Sequence, residues 1–237
     1  MSLTYGLEGQ VGGGAANPAW ARVHSGLSTY YNAIKLILWT ILGAVAFMLL
    51  AQVAMSVLLA QISAIGMGLL VLVSQIMMMV GLSRMTAVPR ETGAAGIMQV
   101  AFIGFVLSFV VAVLAIIMQY SASSLSDLET LGYINIARGL ISLVAFVCLL
   151  VALGRIARSV GRADLSGTSM KLIIMMVTLI GSVFVPLLAP RLFYDIRILY
   201  FIGLIVLALV FLVMFMGLVS NTRDAVASVG NLDVDAF

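Results

Sequence analysis

Apolar residues dominate this chain from Ile34 to Ser220, in long runs without strict alternation. A run of about 20 such residues crosses a hydrocarbon layer of about 30 Å as a helix. Strands of a membrane barrel would instead alternate over about ten residues. The pattern therefore predicts an all-α, polytopic membrane protein. Its six transmembrane spans are expected at about 34–57, 64–83, 97–119, 134–154, 169–189 and 197–219.

The spans are predicted to pair as three hairpins, because a short polar or basic segment follows each second span. The first two spans form one apolar stretch that is too long for a single crossing. Its polar and small residues predict a tight turn between the two spans. These residues are Gln61, Ser63, Gly66 and Gly68.

The segments that flank the six-helix domain, 34–220, have their own patterns. The Gly-rich residues 1–16 predict a disordered tail. Asn17 and Pro18 are typical of a helix start. The apolar residues that follow recur at helical spacing, which predicts an amphipathic helix over 17–33 lying in the membrane interface. Residues 221–237 are predicted to form a cytoplasmic C-terminal tail.

Positive residues predict the orientation, because cytoplasmic loops carry an excess of Lys and Arg. Nine lie on the side of the two termini and three on the other side. Both termini are therefore expected in the cytoplasm, with the chain in a bacterial-type inner (plasma) membrane. The nine are Arg22, Lys35, Arg84, Arg90, Arg155, Arg158, Arg162, Lys171 and Arg223, and the three are Arg138, Arg191 and Arg197.

Composition removes several function classes. The chain is 63% hydrophobic and 9% charged, whereas a soluble domain is about 25% charged. No Asp, Glu, Lys, Arg or His lies deep in a predicted span, which argues against proton-coupled transport through a buried carboxylate. Cys148 and His24 are the single residues of their kinds. We therefore expect no internal disulfide, no bound metal, no cofactor and no nucleic-acid partner.

Uncharged polar residues near mid-depth are the remaining candidates for chemistry. One interpretation gathers them into an intramembrane polar cluster that forms a pocket or pore. The simpler one is hydrogen bonding between helices or to the helix's own backbone. The amide of Gln75 is the strongest candidate, because it needs several partners. The predicted cluster comprises Gln75, Ser74, Ser108, Thr178 and Ser182.

Small residues predict where helices approach closely. They recur every third or fourth residue on spans three and four, which is typical of tight helix packing in membranes. The two spans are therefore predicted to form a tightly packed central hairpin. The packing residues are Gly104, Ser108, Ala112, Gly139, Ser142 and Ala145.

Arginines follow the second and fourth spans. They are predicted to contact lipid headgroups or a protein partner, although topology anchoring alone also explains them. The residues are Arg84, Arg90, Arg155, Arg158 and Arg162.

Three segments together resemble a loosely defined group of uncharacterised six-span bacterial inner-membrane proteins. The resemblance covers most of the chain and implies the topology, without an activity. The segments are Trp20 to Tyr31, Ala87 to Gly93, and Gly154 to Asp164.

Three functions remain open at this point. The first is a non-enzymatic scaffold or accessory subunit of a membrane complex, bound to lipids and to itself or other membrane proteins. The second is a facilitator or channel for a small neutral or hydrophobic solute, gated near Pro186. The third is a lipid-modifying enzyme, which requires at least two of Glu91, Asp127, Glu129 and Asp164 to lie close together.

Overall fold

The computed structural model describes residues 18–53, 57–121, 125–183 and 190–230, which form six long helices and no strand. The all-α prediction is confirmed. Pro186, the predicted tail at 1–16 and residues 231–237 lie outside the described residues. The helices are α1 (Pro18–Val53), α2 (Val57–Met85), α3 (Ala95–Ser121), α4 (Leu125–Ser159), α5 (Ala163–Val183) and α6 (Pro190–Gly230).

Five of the six helices are long and apolar enough to cross a membrane. Their outer faces expose large apolar side chains such as Ile103, at 62%, and Val213, at 69%. Such an apolar surface is unfavourable in water but is well accommodated by lipid. The predicted first span, 34–57, is not among the five and runs past Val53 beyond the described part of α1. The five segments are Ile65–Met85, Ala95–Gln119, Glu129–Ser159, Ala163–Ser182 and Ile202–Val229.

Two helix boundaries differ from the sequence prediction. The turn expected around Gly66 and Gly68 is wrong, because α2 begins at Val57 and runs through both glycines. Glycine is tolerated inside a membrane helix because no water competes for the backbone hydrogen bonds. Helix α4 begins at Leu125, nine residues before the predicted start of the fourth span, and continues without a break to Ser159.

Two glycines with positive φ shape the turns at the arginine-rich end. Gly93 (φ 64°) ends a single 3-10 turn, Arg90–Thr92, that leads into α3. Gly161 (φ 82°) follows α4. There Arg162 N–H donates to the carbonyl of Ala157 (2.8 Å) and Gly161 N–H to that of Arg158 (3.2 Å). This pair of bonds is a Schellman motif, which satisfies the last carbonyls of α4 before the chain turns into α5.

The most extensive helix contacts are those of α1 with α2 and of α3 with α4, followed by α4 with α5, α1 with α6 and α5 with α6, whereas α2 with α3 and α4 with α6 touch less. The backbones of α1 and α2 meet at Gly26 and Gly81. A Cβ added at Gly26 would lie 2.7 Å from the Gly81 carbonyl oxygen and 2.9 Å from the Met85 nitrogen. Only glycine permits this approach, since backbone atoms have no rotamer with which to move aside.

Burial is concentrated at one end of the bundle, which we call the packed end. It comprises residues 22–35, 82–101, 149–172 and 215–227, and its core includes Leu27, Leu82, Leu149 and Val226, all 0% exposed. The opposite end, which we call the open end, comprises residues 65–79, 103–117, 127–144, 174–181 and 202–213. Most of its large apolar side chains are exposed.

Both chain-terminal helices contribute to the packed end. Val23 and Leu27, in the segment predicted as an interfacial helix, are 0% exposed inside the bundle. The helix predicted to end near residue 220 continues to Gly230, and Val226 and Ala227 are buried. The position of 17–33 in the membrane interface and that of 221–237 in the cytoplasm stay predictions.

Candidate functional site

A cleft at the open end lies between α2 and the α3–α4 hairpin. Its volume is about 530 Å³, within the usual range for binding sites. The side chains at its margin, including Leu72, Val113 and Ile116, are exposed, so the cleft opens toward the lipid-facing surface. It is lined by Gly68, Val71, Leu72, Gln75, Met78, Met79, Phe105, Ser108, Phe109, Ala112, Val113, Ile116, Arg138 and Ser142.

One wall of the cleft is the seam between α3 and α4. A Cβ added at Gly104 would lie 2.7 Å from the Cβ of Ala145. One turn further along, the hydroxyls of Ser108 and Ser142 share a hydrogen bond of 2.5 Å. The next step in this antiparallel register brings Ala112 opposite Arg138. Three of the predicted packing positions on α3 therefore face α4, and two of them also line the cleft.

Gln75 is the polar group of the opposite wall, on α2. It lies nine residues before Arg84, which is about 13 Å along a helix axis. This distance is close to half of a hydrocarbon layer of about 30 Å. The amide has two donors and an acceptor, and it has no hydrogen-bond partner among the residues described here. An amide at this depth without a partner is costly, because lipid cannot replace the missing bonds.

Arg138 supplies the positive charge of the cleft, toward its outer end. It lies 17 residues before Arg155, about 25 Å along α4, and therefore close to the membrane surface at the open end. In the part of the chain that is described, its guanidinium forms no ion pair or hydrogen bond. The sequence pattern places Arg138 only among the charges outside the membrane. Its i to i+4 spacing from Ser142 was the available signal, because this spacing brings the two side chains to one face.

The predicted polar cluster is divided between two places. Gln75 and Ser108 line the cleft, whereas Ser74 is buried and donates to the carbonyl of Leu70 (2.6 Å). Thr178 donates to the carbonyl of Ile174 (3.0 Å) and Ser182 to that of Leu179 (2.6 Å). Both lie on α5, which packs against α4 and α6 and contributes no residue to the cleft. These three hydroxyls bond the backbone of their own helix.

Gly139 departs from the predicted packing face. A Cβ added there would meet nothing within 4 Å. Six residues separate Gly139 from Ala145, which places them about 120° apart around a helix of 3.6 residues per turn. The face of α4 that contacts α3 therefore contains Ser142 and Ala145 but not Gly139.

The five predicted arginines all lie at the packed end, with different surroundings. Arg84 donates to the hydroxyls of Ser25 (2.9 Å) and Thr29 (3.3 Å), which joins α2 to α1. Arg155 donates to the carbonyl of Gly93 (2.7 Å). Arg158 donates to Ser166 (3.0 Å), and Arg162 forms an ion pair with Asp164 (2.9 Å). Arg90 is exposed in the 3-10 turn.

The carboxylates required by the enzyme alternative do not form a site in the described ranges. Asp127 and Glu129 lie near the start of α4, at the open end, and their i to i+2 spacing turns them to different sides. Glu91 and Asp164 lie at the packed end, and Asp164 is exposed and paired with Arg162. No group of three His, Cys, Asp or Glu residues that could hold a metal occurs in the portion described.

No family model, no curated protein and no solved structure matches this chain. The resemblance to six-span bacterial inner-membrane proteins therefore stays a prediction.

Proposed function

We propose that this protein is a non-enzymatic scaffold or accessory subunit that holds a transmembrane helix of a partner protein in its open-end cleft. The single observation that carries the proposal is that the Gln75 side-chain amide lacks a partner in the part of the chain described. It lies at mid-depth in the wall of an open cleft and has no hydrogen-bond partner among the described residues. A polar group of a partner protein in the cleft would form the hydrogen bonds that this amide lacks.

The chemistry of the cleft favours a helix over a lipid tail as the occupant. An acyl chain has no group that pairs with an amide at mid-depth, whereas a helix presents polar side chains there. The cleft is lined partly by small residues, namely Gly68, Ala112 and Ser108. Small side chains let the backbone of another helix approach closely. Arg138, near the membrane surface, suits an acidic residue at the end of the partner helix.

The proposal includes six spans with both termini in the cytoplasm of a bacterial cell, in its inner membrane. The packed end bears nine of the 12 Lys and Arg residues, and an excess of this kind faces the cytoplasm. Five helices are long and apolar enough to cross the membrane, and α1 would supply the sixth crossing. An even number of crossings brings the amino-terminal end of α1 and the carboxyl end of α6 to the same side.

The packing favours this function over a solute facilitator. A facilitator needs a polar path through the whole bundle, and beyond the cleft the packed end is filled by apolar residues. Leu82, Leu149 and Leu153 there are 0% exposed. Thr178 and Ser182, which the facilitator alternative places in the path, lie outside the cleft.

A matched pair of glycine substitutions tests the proposal. Gly66 and Gly68 both lie on α2, and a Cβ added to either meets nothing within 4 Å. Only Gly68 lines the cleft. Gly68→Phe should therefore fill the cleft without disturbing the chain's own packing, and Gly66→Phe should leave the cleft free.

The measurement is native mass spectrometry of the protein extracted gently from its own membrane. We expect a partner protein on the wild type and on Gly66→Phe, and its loss from Gly68→Phe. Gln75→Leu should also release the partner, with exposed Gln119→Leu as the control for removing an amide. A partner that stays bound to both Gly68→Phe and Gln75→Leu would contradict the proposal.

A further inference from the structure

A second pocket, separate from the cleft, lies at the packed end between α4 and α5. Its volume is about 260 Å³. Arg155 and Arg158 stand one turn apart on α4 and both line it, as does Ser166 in the first turn of α5. Arg158 donates to the Ser166 hydroxyl at 3.0 Å. The side chains of two helices therefore surround a small volume with two positive charges.

The charge of this pocket is not neutralised within the described residues. Neither Arg155 nor Arg158 forms an ion pair there. The nearby carboxylate of Asp164 is bound to Arg162 by two hydrogen bonds, of 3.0 and 2.9 Å. A guanidinium offers donors in a planar fork that matches the oxygens of a phosphate. The start of α5 adds the positive end of a helix dipole.

The remaining lining is apolar and lies toward the membrane. Val151 precedes Arg155 by one turn on α4, and Met170 and Ile173 follow Ser166 on α5. Met170 is 58% exposed. The base is tight, because a Cβ added at Gly154 would lie 3.1 Å from the Ser169 side chain. The pocket is therefore cationic where the spans end and apolar on the side that enters the lipid.

We propose that this α4–α5 pocket binds the phosphate of an anionic phospholipid, whose acyl chain lies along Val151, Met170 and Ile173. Basic pockets between helices at the cytoplasmic membrane surface recognise such headgroups. A free phosphate would use the same two arginines but would gain nothing from the apolar lining. The inference does not depend on the occupant of the open-end cleft, because the two sites lie at opposite ends of the bundle.

Native mass spectrometry of the full-length protein in detergent, with phosphatidylglycerol added, tests the site. We expect one tightly retained lipid per chain, and Arg158→Gln should weaken its binding about fivefold, the effect expected for one arginine at a membrane surface. Arg90→Gln removes the same charge from an exposed position outside the pocket and should leave binding unchanged. Arg158→Lys keeps the charge but loses the fork, so it should fall between Arg158→Gln and the wild type.

Three outcomes would overturn the proposal. Equal losses in Arg158→Gln and Arg90→Gln would mean diffuse attraction to the protein's charge. Equal retention of phosphatidylcholine and phosphatidylglycerol would mean that the phosphate site is not selective for an anionic lipid. Displacement of the lipid by an equal concentration of inorganic phosphate would mean a site for a soluble anion. Ser166→Ala, which keeps both arginines, should weaken binding less than Arg158→Gln and provides a second variant.

Discussion

The two ends of this bundle are built from similarly apolar residues but pack in opposite ways. At the packed end, α1 and α2 meet backbone to backbone at Gly26 and Gly81. At the open end, the same α2 contains Gly66 and Gly68, and a Cβ added to either meets nothing within 4 Å. Glycine permits close approach but does not by itself produce it. A glycine at a helix contact differs from one beside an open cleft only in whether another helix lies opposite it.

The polar groups divide in the same way. At the packed end, Ser169 of α5 donates to the backbone carbonyl of Leu150 on α4, and Arg84 of α2 donates to hydroxyls of α1, so hydrogen bonds join different helices there. At the open end, Gln75 and Arg138 have no such partners among the described residues. The packed end also contains a hydroxyl without a hydrogen-bond partner in the described part of the chain, that of buried Thr222, so the two ends differ in how many polar groups join helices and not in complete pairing.

The largest expected effect is a loss of stability on closing the space between α1 and α2. Gly26→Ala would bring its Cβ within 3.0 Å of three atoms, two of them backbone. We expect a loss of about 3 kcal/mol, the upper part of the range for overpacking. Gly66→Ala at the open end should be neutral or slightly stabilising, since alanine is the better helix former. Thermal unfolding in detergent measures the stability of both variants. Equal unfolding midpoints would contradict the difference in packing between the two ends.

A smaller effect should identify the face of α4 that packs against α3. Gly104→Ala would place one atom, the Cβ of Ala145, at 2.7 Å, so we expect a loss of about 1–2 kcal/mol. Gly139→Ala meets nothing within 4 Å and should not destabilise the protein. Unfolding by added denaturing detergent compares the two variants. Equal losses would place the packing face of α4 around Gly139 as well.

The smallest expected effect is a pH dependence that belongs to the packed end. Burial on α1 and the neighbouring charge of Arg223 lower the pKa of His24 from its usual value of 6.5, and Asp224 opposes them. The folded protein therefore favours the neutral imidazole, and the unfolded chain takes up a proton more readily. The stability from His24 is complete above about pH 6.5 and is lost as the pH falls through the lowered pKa.

Unfolding temperatures between pH 7.5 and 5.5 test this dependence. We expect the wild type to lose stability across the range and His24→Gln to lose less. Carboxylates with ordinary pKa values stay ionised in this window, so they contribute little to the slope. An identical slope for the wild type and His24→Gln would assign the effect to another group.

Much of the fold was predictable from the sequence, because apolar runs of span length have no other stable arrangement in lipid. Gly104 approaches Ala145, and Ser108 shares a hydrogen bond with Ser142, so these members of the stripes lie at the seam between α3 and α4. Gly139 does not lie there, because a stripe read at a spacing of three drifts around a helix of 3.6 residues per turn. The prediction of a turn at Gly66 was wrong because glycine interrupts a helix less in lipid than in water.

The cleft itself was not predictable from the sequence. Leu72 and Val113 at its margin are the same kinds of residue that face lipid elsewhere, so hydrophobicity does not separate a cleft from an outer surface. The separation of Thr178 and Ser182 from Gln75 depends on which helices are neighbours, and a span pattern does not contain that order. Only Gln75 stood out in advance, because an amide requires more partners than a hydroxyl.

The joining of α1 to α6 at the packed end has a consequence for biosynthesis. Tyr30, near the start of the chain, meets Phe215 edge to face with ring centroids 6.3 Å apart. A ribosome delivers the chain from its amino terminus, so Tyr30 enters the membrane system long before Phe215 exists. Until α6 is synthesised, the surface of α1 around Val23 and Leu27 lacks one of its covering helices. The nascent protein therefore spends most of its synthesis with its earliest helix incompletely covered, and only the last segment made closes the packed end.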